Sequence, residues 1–318
     1  MRKSLSRTTS TLETQTKNLK IHKIPMFEDI FDRNELLIDN ILSSRNSKIK
    51  CVVPISGGKD SQVCLIKALE VYKPEEIIGL FCDVQFEHPL TIEHIEKMKS
   101  MYGVHIETIS DGSVYEYIKK EQWWPSYASR FCTRSLKIKA AKKFYIQLAE
   151  KQEQGFQVWM GLRLGESAMR NNRYKEHSES STYPPHEIDT TNPRFMHEKL
   201  DITYRLPILT WESEDVYELL GEDCNELYKK GFDRVGCFPC FASGDKAMEK
   251  AFAFDEVGAE RRLIAIELGK EMNFSVFRSK GGKERNPDMV MENEDQDKVL
   301  RAGPDVNEDL APCNICNM

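Results

Sequence analysis

Nothing in this 318-residue chain is apolar for the roughly 20 consecutive residues that a membrane-crossing helix requires, which excludes an integral helical membrane protein. The opening stretch, MRKSLSRTTSTLETQTKNLK, is polar and lacks the apolar segment of a secretory signal, so the expected location is the cytoplasm. Positive charge is not in excess either. The formal net charge is −6, which excludes a generic nucleic-acid binder and leaves any such binding to a local basic patch. The chain has no internal repeat. It has neither the GxxxxGK(S/T) pattern of the ATPase P-loop nor the GxGxxG pattern of dinucleotide-binding folds.

What is present is cysteine and one glycine–lysine turn. Nine cysteines without an export signal do not read as a disulfide framework. Cys51, Cys64 and Cys82 fall among apolar neighbours and read as core. The turn is Ser56-Gly57-Gly58-Lys59-Asp60-Ser61, between the apolar run ending at Ile55 and the helix-like QVCLIKALEVY. Gly57 and Gly58 permit a tight turn and close approach of a ligand to the backbone. The first amides of the following helix have no internal partner and favour an anion. Lys59 adds a point charge, and Ser56 and Ser61 add hydroxyls. Asp60, an acid beside an anion site, fits a residue that holds Mg²⁺ or orients the loop. The alternative is an ordinary βα turn with a surface lysine.

Along the chain, a helix over 34–45 leads to a strand at Lys50–Pro54, and the helix after the turn runs to about Tyr72. A strand at Ile77–Phe81, an amphipathic helix closed by Gly103 and the strand VHIETI come next. Strand–helix repetition at this spacing predicts an α/β fold. The expected form is a Rossmann-like parallel sheet with helices on both faces, plus a smaller, mostly helical C-terminal part containing cysteines. Ligands of such sheets sit at the carboxyl ends of the strands, where both the turn and Asp83 belong. A long helix over 135–152, a strand over 157–163, a polar irregular stretch over 165–200, and helices over 213–230 and 244–272 complete the reading. The expected organisation is a loose arm over 1–24, a nucleotide-binding domain over 25–210, a helical cysteine-containing region over 211–278, and a charged tail over 279–318.

SGGKDS resembles the PP-loop of the ATP pyrophosphatases, which cleave ATP between the α and β phosphates. Further segments resemble the phosphoadenosine phosphosulfate reductase family in that family's order. They are FCDVQFEHPLTIEHIEKM, RFCTRSLKIKA, GLRLGESAMR, YRLPILTWESEDVYELL and NELYKKGFDRVGCFPC, and they span residues 50–245. The intact loop argues for ATP as substrate. The ECGLH-like segment that carries the sulfur-attacking cysteine of the true reductases is missing, which argues against sulfate reduction. The resemblance points instead to the branch with the DNA phosphorothioation sulfur-transfer subunit and phage reductase-like proteins, in which cysteines carry an iron–sulfur cluster.

By resemblance, Asp83 lies at the adenosine or a metal, although an acidic helix cap is the alternative. Gly161 and Arg163 end a later strand, where glycine admits the adenine or ribose and arginine offers a planar fork to phosphate. Glu166, Arg170 and His88 are weaker candidates, His88 as a cap. Cys237-Phe238-Pro239-Cys240 is a CxxC whose two thiolates reach one metal. The resemblance adds Cys132, and Cys313 and Cys316 are candidates for a fourth ligand. Two cofactor readings stand: a 4Fe–4S cluster on Cys132, Cys237, Cys240 and a tail cysteine, or a structural Zn²⁺ on the two CxxC pairs. Arg134, Lys137, Lys139, Lys142, Lys143, Arg170, Arg173 and Lys175 form a basic patch or a solvated face. Trp123, Trp124 and Tyr127 stack a base or belong to a core or lid.

The resulting expectation is an ATP- and Mg²⁺-dependent enzyme that adenylates an acceptor, with Lys59, Asp60 and Cys132 in the chemistry, for sulfur transfer or nucleic-acid modification. Candidate partners are DNA or tRNA as acceptor, a sulfur donor such as a cysteine desulfurase, and another copy or chain in an oligomer. A thiol-dependent sulfonucleotide reductase and a nucleotide-sensing subunit of a modification or defence complex are the alternatives.

Overall fold

The computed structural model describes residues 27–126, 129–273 and 275–276. The expected arm over 1–24, the tail over 279–318, Cys313, Cys316 and Tyr127 lie outside the described residues.

Six strands form one sheet: β1 (Cys51–Ile55), β2 (Ile77–Cys82), β3 (His105–Ile109), β4 (Gln157–Trp159), β5 (Thr182–Tyr183) and β6 (Thr203–Arg205), in the order β3-β2-β1-β4-β6-β5. All neighbours are parallel except β5, which joins β6 antiparallel at the edge. This is the expected Rossmann-like α/β fold. β1 and β2 are buried at every position, as strands covered on both faces must be.

The period of two sorts β1 between those faces. Val52 joins a cluster with Ile38 of α1 (Phe27–Ser43) and with Phe144, Tyr145 and Leu148 of α5 (Lys139–Gln152). Cys51, Val53 and Ile55 join the opposite cluster, with Cys64, Leu65 and Ala68 of α2 (Lys59–Leu69) and Ile95 and Met98 of α3 (Pro89–Tyr102). Pro54 is tolerated in this central strand because the β4 ladder ends at Val52. Strand order reverses between β1 and β4, so the crevice beyond their carboxyl ends is where such a sheet takes a ligand.

Several expected boundaries shift. The helix expected over 135–152 begins as a wide π-helical turn, Thr133–Ile138, with Cys132 immediately before it. β4 stops at Trp159, short of the strand expected to reach 163. The stretch read as irregular over 165–200 contains α6 (Ala168–Tyr174), β5, α7 (Pro185–Ile188) and α8 (Phe195–Glu198). Elements this short carry too few residues for a periodicity to register. The helix expected over 213–230 splits into α9 (Ser213–Leu220), a tight turn over Gly221–Asp223 and α10 (Glu226–Lys229). Gly221 takes a positive φ at the break, and the Asn225 side chain caps α10 by accepting from the Leu227 amide at 3.0 Å. The helix expected over 244–272 divides into α11 (Asp245–Phe252) and α12 (Glu256–Glu271), where extended Asp255 accepts from the Gly258 amide at 2.9 Å. No helix among the described residues is long and apolar enough to cross a membrane.

The cysteine-containing part shares a core with the part expected to bind nucleotide. Val84, Phe86 and Trp124, with Val114 and Ile118 of α4 (Val114–Glu121), pack with Phe241, Met248, Phe252, Ile264 and Leu268 in one apolar cluster.

Candidate functional site

The SGGKDS turn lies at the crevice. Gly57 sits at φ +72°, and a Cβ there would come within 2.6 Å of Thr91 Cγ2, so both conformation and space require glycine. The serine hydroxyls serve the loop itself. Ser56 Oγ accepts from the Gly58 amide at 3.2 Å, and Ser61 Oγ donates to the Gly58 carbonyl at 2.8 Å. Two residues from far along the chain finish the turn: Asn225 Nδ2 donates to the Gly57 carbonyl at 3.0 Å, and the Tyr228 hydroxyl accepts from the Lys59 amide at 3.1 Å. The Gly58 N-cap brings no side-chain cap to α2, so the positive end of the helix faces the crevice.

The charges are arranged around one acid. Asp60 accepts from Lys59 Nζ at 3.0 Å and from Arg163 Nε at 2.6 Å, with all three side chains less than 10% exposed. Of the two roles expected for Asp60, orienting the loop is the one these bonds perform, since they tie the segment just past β4 to the start of α2. Burial lowers the Lys59 ammonium; Asp60 opposes this, and Arg163 and Arg234 lower it further. Two buried cations on one carboxylate leave a surplus of positive charge that an anion would satisfy. The Lys59 ammonium also lies over the Tyr217 and Tyr228 rings, 5.6 and 5.8 Å from their centroids. Gly161 serves the same tie. A Cβ on it would lie 2.7 Å from the Asp60 carbonyl, so loop backbone fills the space its missing side chain leaves.

A cavity of about 580 Å³ opens here and reaches the CxxC. Lys59, Asp60, Arg163 and Tyr228 line it together with Cys237 and Cys240. The turn carrying the CxxC is fixed to the strand side. Glu87 pairs with Cys237 through the backbone, and the Phe238 amide donates to the Phe86 carbonyl at 2.7 Å. Below it, Lys137 of the π-helical turn pairs with Glu87 at 3.2 Å, both side chains buried. Burial pushes the Cys237 thiol well above its ordinary value; Lys137 opposes, while Glu87, Cys240 and Cys132 add to the rise. Cys132 and Cys240 are thus each within electrostatic reach of Cys237. Among the described residues, no group of three His, Cys, Asp or Glu side chains is arranged as metal ligands. The donor chemistry does suit a soft metal, since Cys132, Cys237 and Cys240 are three half-buried thiols.

Other expected residues fall elsewhere. Asp83 is not among the residues lining this cavity; its carboxylate accepts from the Gln85 amide at 2.7 Å. Burial raises the pKa of its carboxyl, and Glu87 adds to the rise. His88 caps α3 through Leu90 and bonds Asp255 at 2.8 Å, which pins α12 to α3. Glu166 pairs with buried Arg170. Much of the expected basic patch is spent on partners from other elements. Lys142 pairs with Asp189, Lys143 with Asp111 and Lys137 with Glu87, and Arg173 donates to the Ile188 carbonyl at 2.8 Å. Trp124 is core against Phe241, whereas Trp123 is exposed.

Sequence reasoning missed Tyr228, Asn225, Glu87 and Arg234 as site residues. The signal lay in the NELYKKGFDRVGCFPC segment, where Asn225, Tyr228 and Arg234 stand at fixed offsets before the CxxC. Polar residues at such offsets outside any amphipathic face mark side chains used at a distance.

The profile of the phosphoadenosine phosphosulfate reductase domain matches residues 50–243, the sheet, the loop and the CxxC together. This chain belongs to that family. Among curated relatives, an uncharacterised protein of Methanocaldococcus jannaschii is 32% identical over 239 residues, 70% of this chain and 45% of its own length. An uncharacterised 37.8 kDa protein of Escherichia phage 186 is 27% identical, over 64% of this chain and 70% of its own length. The chain therefore spans about half the length of the first relative. Among solved structures, the phosphoadenylyl-sulfate reductase of Candida auris aligns over 74% of this chain and 98% of its own, at 16% identity and a TM-score of 0.39. The U34-tRNA thiolase of Methanococcus maripaludis with its 4Fe–4S cluster aligns over 77% and 75%, at 17% identity and a TM-score of 0.40.

Proposed function

We propose that this family member binds ATP at the Ser56–Ser61 turn and transfers its adenylyl group to an acceptor, as a step in sulfur transfer. The observation that carries the reading is the shared cavity in which Lys59 and Arg163, two cations on one acid, face the same space as Cys237 and Cys240. The loop amides, the N-terminus of α2 and Lys59 would receive the phosphates, with Mg²⁺ carried on ATP, because Asp60 is already engaged by two cations. An acceptor oxygen attacks the α-phosphorus, a P–O bond to the acceptor forms, the bond to the β-phosphate oxygen breaks, and pyrophosphate leaves with the electron pair. Lys59 and Arg163 offset the charge that builds on that leaving group. A sulfur nucleophile then displaces AMP, forming its bond to the activated atom as the bond to the AMP oxygen breaks.

Cys132, Cys237 and Cys240, with a fourth ligand, would hold a 4Fe–4S cluster. When bound, such a cluster supplies iron able to bind sulfide for delivery. The chain's own residues set its surroundings: Lys137 lies at Cys237, Glu87 fixes Lys137, and the shared apolar cluster packs against Cys132 and Cys237 and limits their access to water.

Two measurements test the reading. Pyrophosphate release from ATP is expected in the intact chain and is expected to fall by at least about a hundredfold in Lys59→Ala, on the scale of losing one preorganised charge at a transition state. Anaerobic purification is expected to give iron with acid-labile sulfide. About one zinc and no iron would remove sulfur delivery by a cluster, and tight ATP binding with no pyrophosphate release would favour a nucleotide sensor.

A further inference from the structure

The cavity between the loop and the CxxC carries basic residues beyond those at the loop itself. Seven basic residues line it, namely Lys59, Arg130, Lys137, Arg163, Arg234, Lys246 and Lys250, against the acids Asp60, Glu166 and Asp233. This surplus stands in a chain whose formal net charge is −6, so it is a local feature and not a reflection of composition. Ion pairs account for part of it. Lys59 and Arg163 share Asp60, Lys137 is matched by Glu87 from outside the cavity, and Glu166 is matched by Arg170.

Lys246 and Lys250 stand apart from the loop in sequence and in support. Lys246 and Lys250 are one helical turn apart on α11 and line the cavity along with Ala247 and Ala251 of the same face. This face begins just after Cys240, with Ala242 and Ser243 continuing the lining. Among the described residues, no ion pair involves Lys246, Lys250 or Arg234. Lys250 donates to the Gly231 carbonyl and lies 4.9 Å from the Phe232 ring centroid; neither contact neutralises its charge. Exposed Ala247, small and between the two lysines, leaves the wall open to a bulky anion.

We propose that this α11 wall, with Lys246 and Lys250, binds a phosphate ester of the acceptor. The inference rests on the adenylation reading and names its acceptor class: a phosphate-bearing nucleotide, either within a nucleic-acid strand or free. ATP at the loop and an acceptor phosphate on α11 would then place the acceptor between Lys59 and the CxxC.

The test uses the full chain saturated with a non-hydrolysable ATP analogue, with two probes. One is a labelled single-stranded oligonucleotide, the other uridine monophosphate. Binding of the oligonucleotide is expected to weaken by at least about tenfold in Lys246→Glu, and the slope of log affinity against log salt is expected to fall by about 1 per lysine removed in Lys246→Gln and Lys250→Gln. Affinity for the ATP analogue is expected to change less than about twofold, which also reports that the variants fold. Binding of the mononucleotide alone, with the same sensitivity to Lys246, identifies a small phosphate ester as the source. Charge-sensitive probe binding without any binding of the ATP analogue would sink the adenylation reading while leaving the phosphate wall standing. The proposal is overturned if the ATP analogue binds but neither probe does, or if the probes bind the charge-reversed variant as well as the native chain.

Discussion

Asp60 sets the terms at the site because it is the one acid that Lys59 and Arg163 share, with all three side chains buried. A buried charge that loses its partner costs more than the pair contributes, on the order of 3–5 kcal/mol. Asp60→Ala is therefore expected to lower the thermal midpoint sharply, and added pyrophosphate to restore part of the loss by supplying an anion to the same two cations. Calorimetry with and without pyrophosphate reads this; an equal loss in both would mean that the cations do not face the anion site. Tyr228 gives a finer probe. Its hydroxyl accepts from the Lys59 amide, so Tyr228→Phe removes one hydrogen bond without opening a cavity, at a cost of about 1 kcal/mol. If ATP phosphate takes that amide, the variant binds ATP at least as tightly as the native chain while its apo form is less stable. Loss of ATP affinity in titration calorimetry would instead make the hydroxyl a ligand of the nucleotide.

Helices α2 and α3 and the turn at Gly221–Asp223 are clamped by one buried amide. Gln62 Nε2 donates to the Tyr102 hydroxyl at 3.0 Å and to the Asp223 carbonyl at 2.9 Å, and Gln62 Oε1 bonds His94 Nε2 at 2.9 Å. Burial, with Lys97 nearby, lowers the His94 pKa from 6.5 to about 4, so the folded ring is neutral and donates to the amide oxygen. The unfolded chain takes up this proton at higher pH than the folded one does. Stability contributed here is thus complete above about 6.5 and is lost as pH falls toward about 4, by a total on the order of 3 kcal/mol. Unfolding titrations between those limits should show a steeper dependence of stability on pH for the native chain than for His94→Gln; identical slopes would remove His94 as the cause. The clamp matters to the site because the same turn leads into Asn225 and Tyr228, which complete the loop.

For the molecule as a whole, the sheet with its SGGKDS turn and the cysteine part are joined by a common core. Phe241, one residue past the CxxC, packs 5.2 Å from Phe86 and 5.0 Å from Trp124, ring centroid to centroid. Phe241→Ala is expected to cost about 3–5 kcal/mol and to lower one cooperative unfolding transition. Two separate transitions by fluorescence and circular dichroism would show that the parts fold independently. The placement of the thiols predicts in turn that Cys237→Ser lowers bound iron without changing pyrophosphate release from ATP. The loop is completed by Asn225 and Tyr228 and not by the thiols.

The sequence by itself determined what depends on neighbours in the chain. A run of apolar β-formers, two glycines, a lysine and a helix former fix a strand–turn–helix locally, and the CxxC brings two thiols together by spacing alone. The alternation of strands and helices likewise made the parallel sheet legible, whereas β5, β6 and the breaks near Gly221 and Asp255 were not, being too short to carry a period. Only the tertiary structure decided which charges are spent and which remain. Arg163 reaches Asp60 across 103 residues and Asn225 reaches Gly57 across 168, while several of the lysines that read as a basic patch meet acids brought from other elements. Charge is a property of a residue, but its neutralisation is a property of contacts, and contacts between distant residues exist only once the chain has folded.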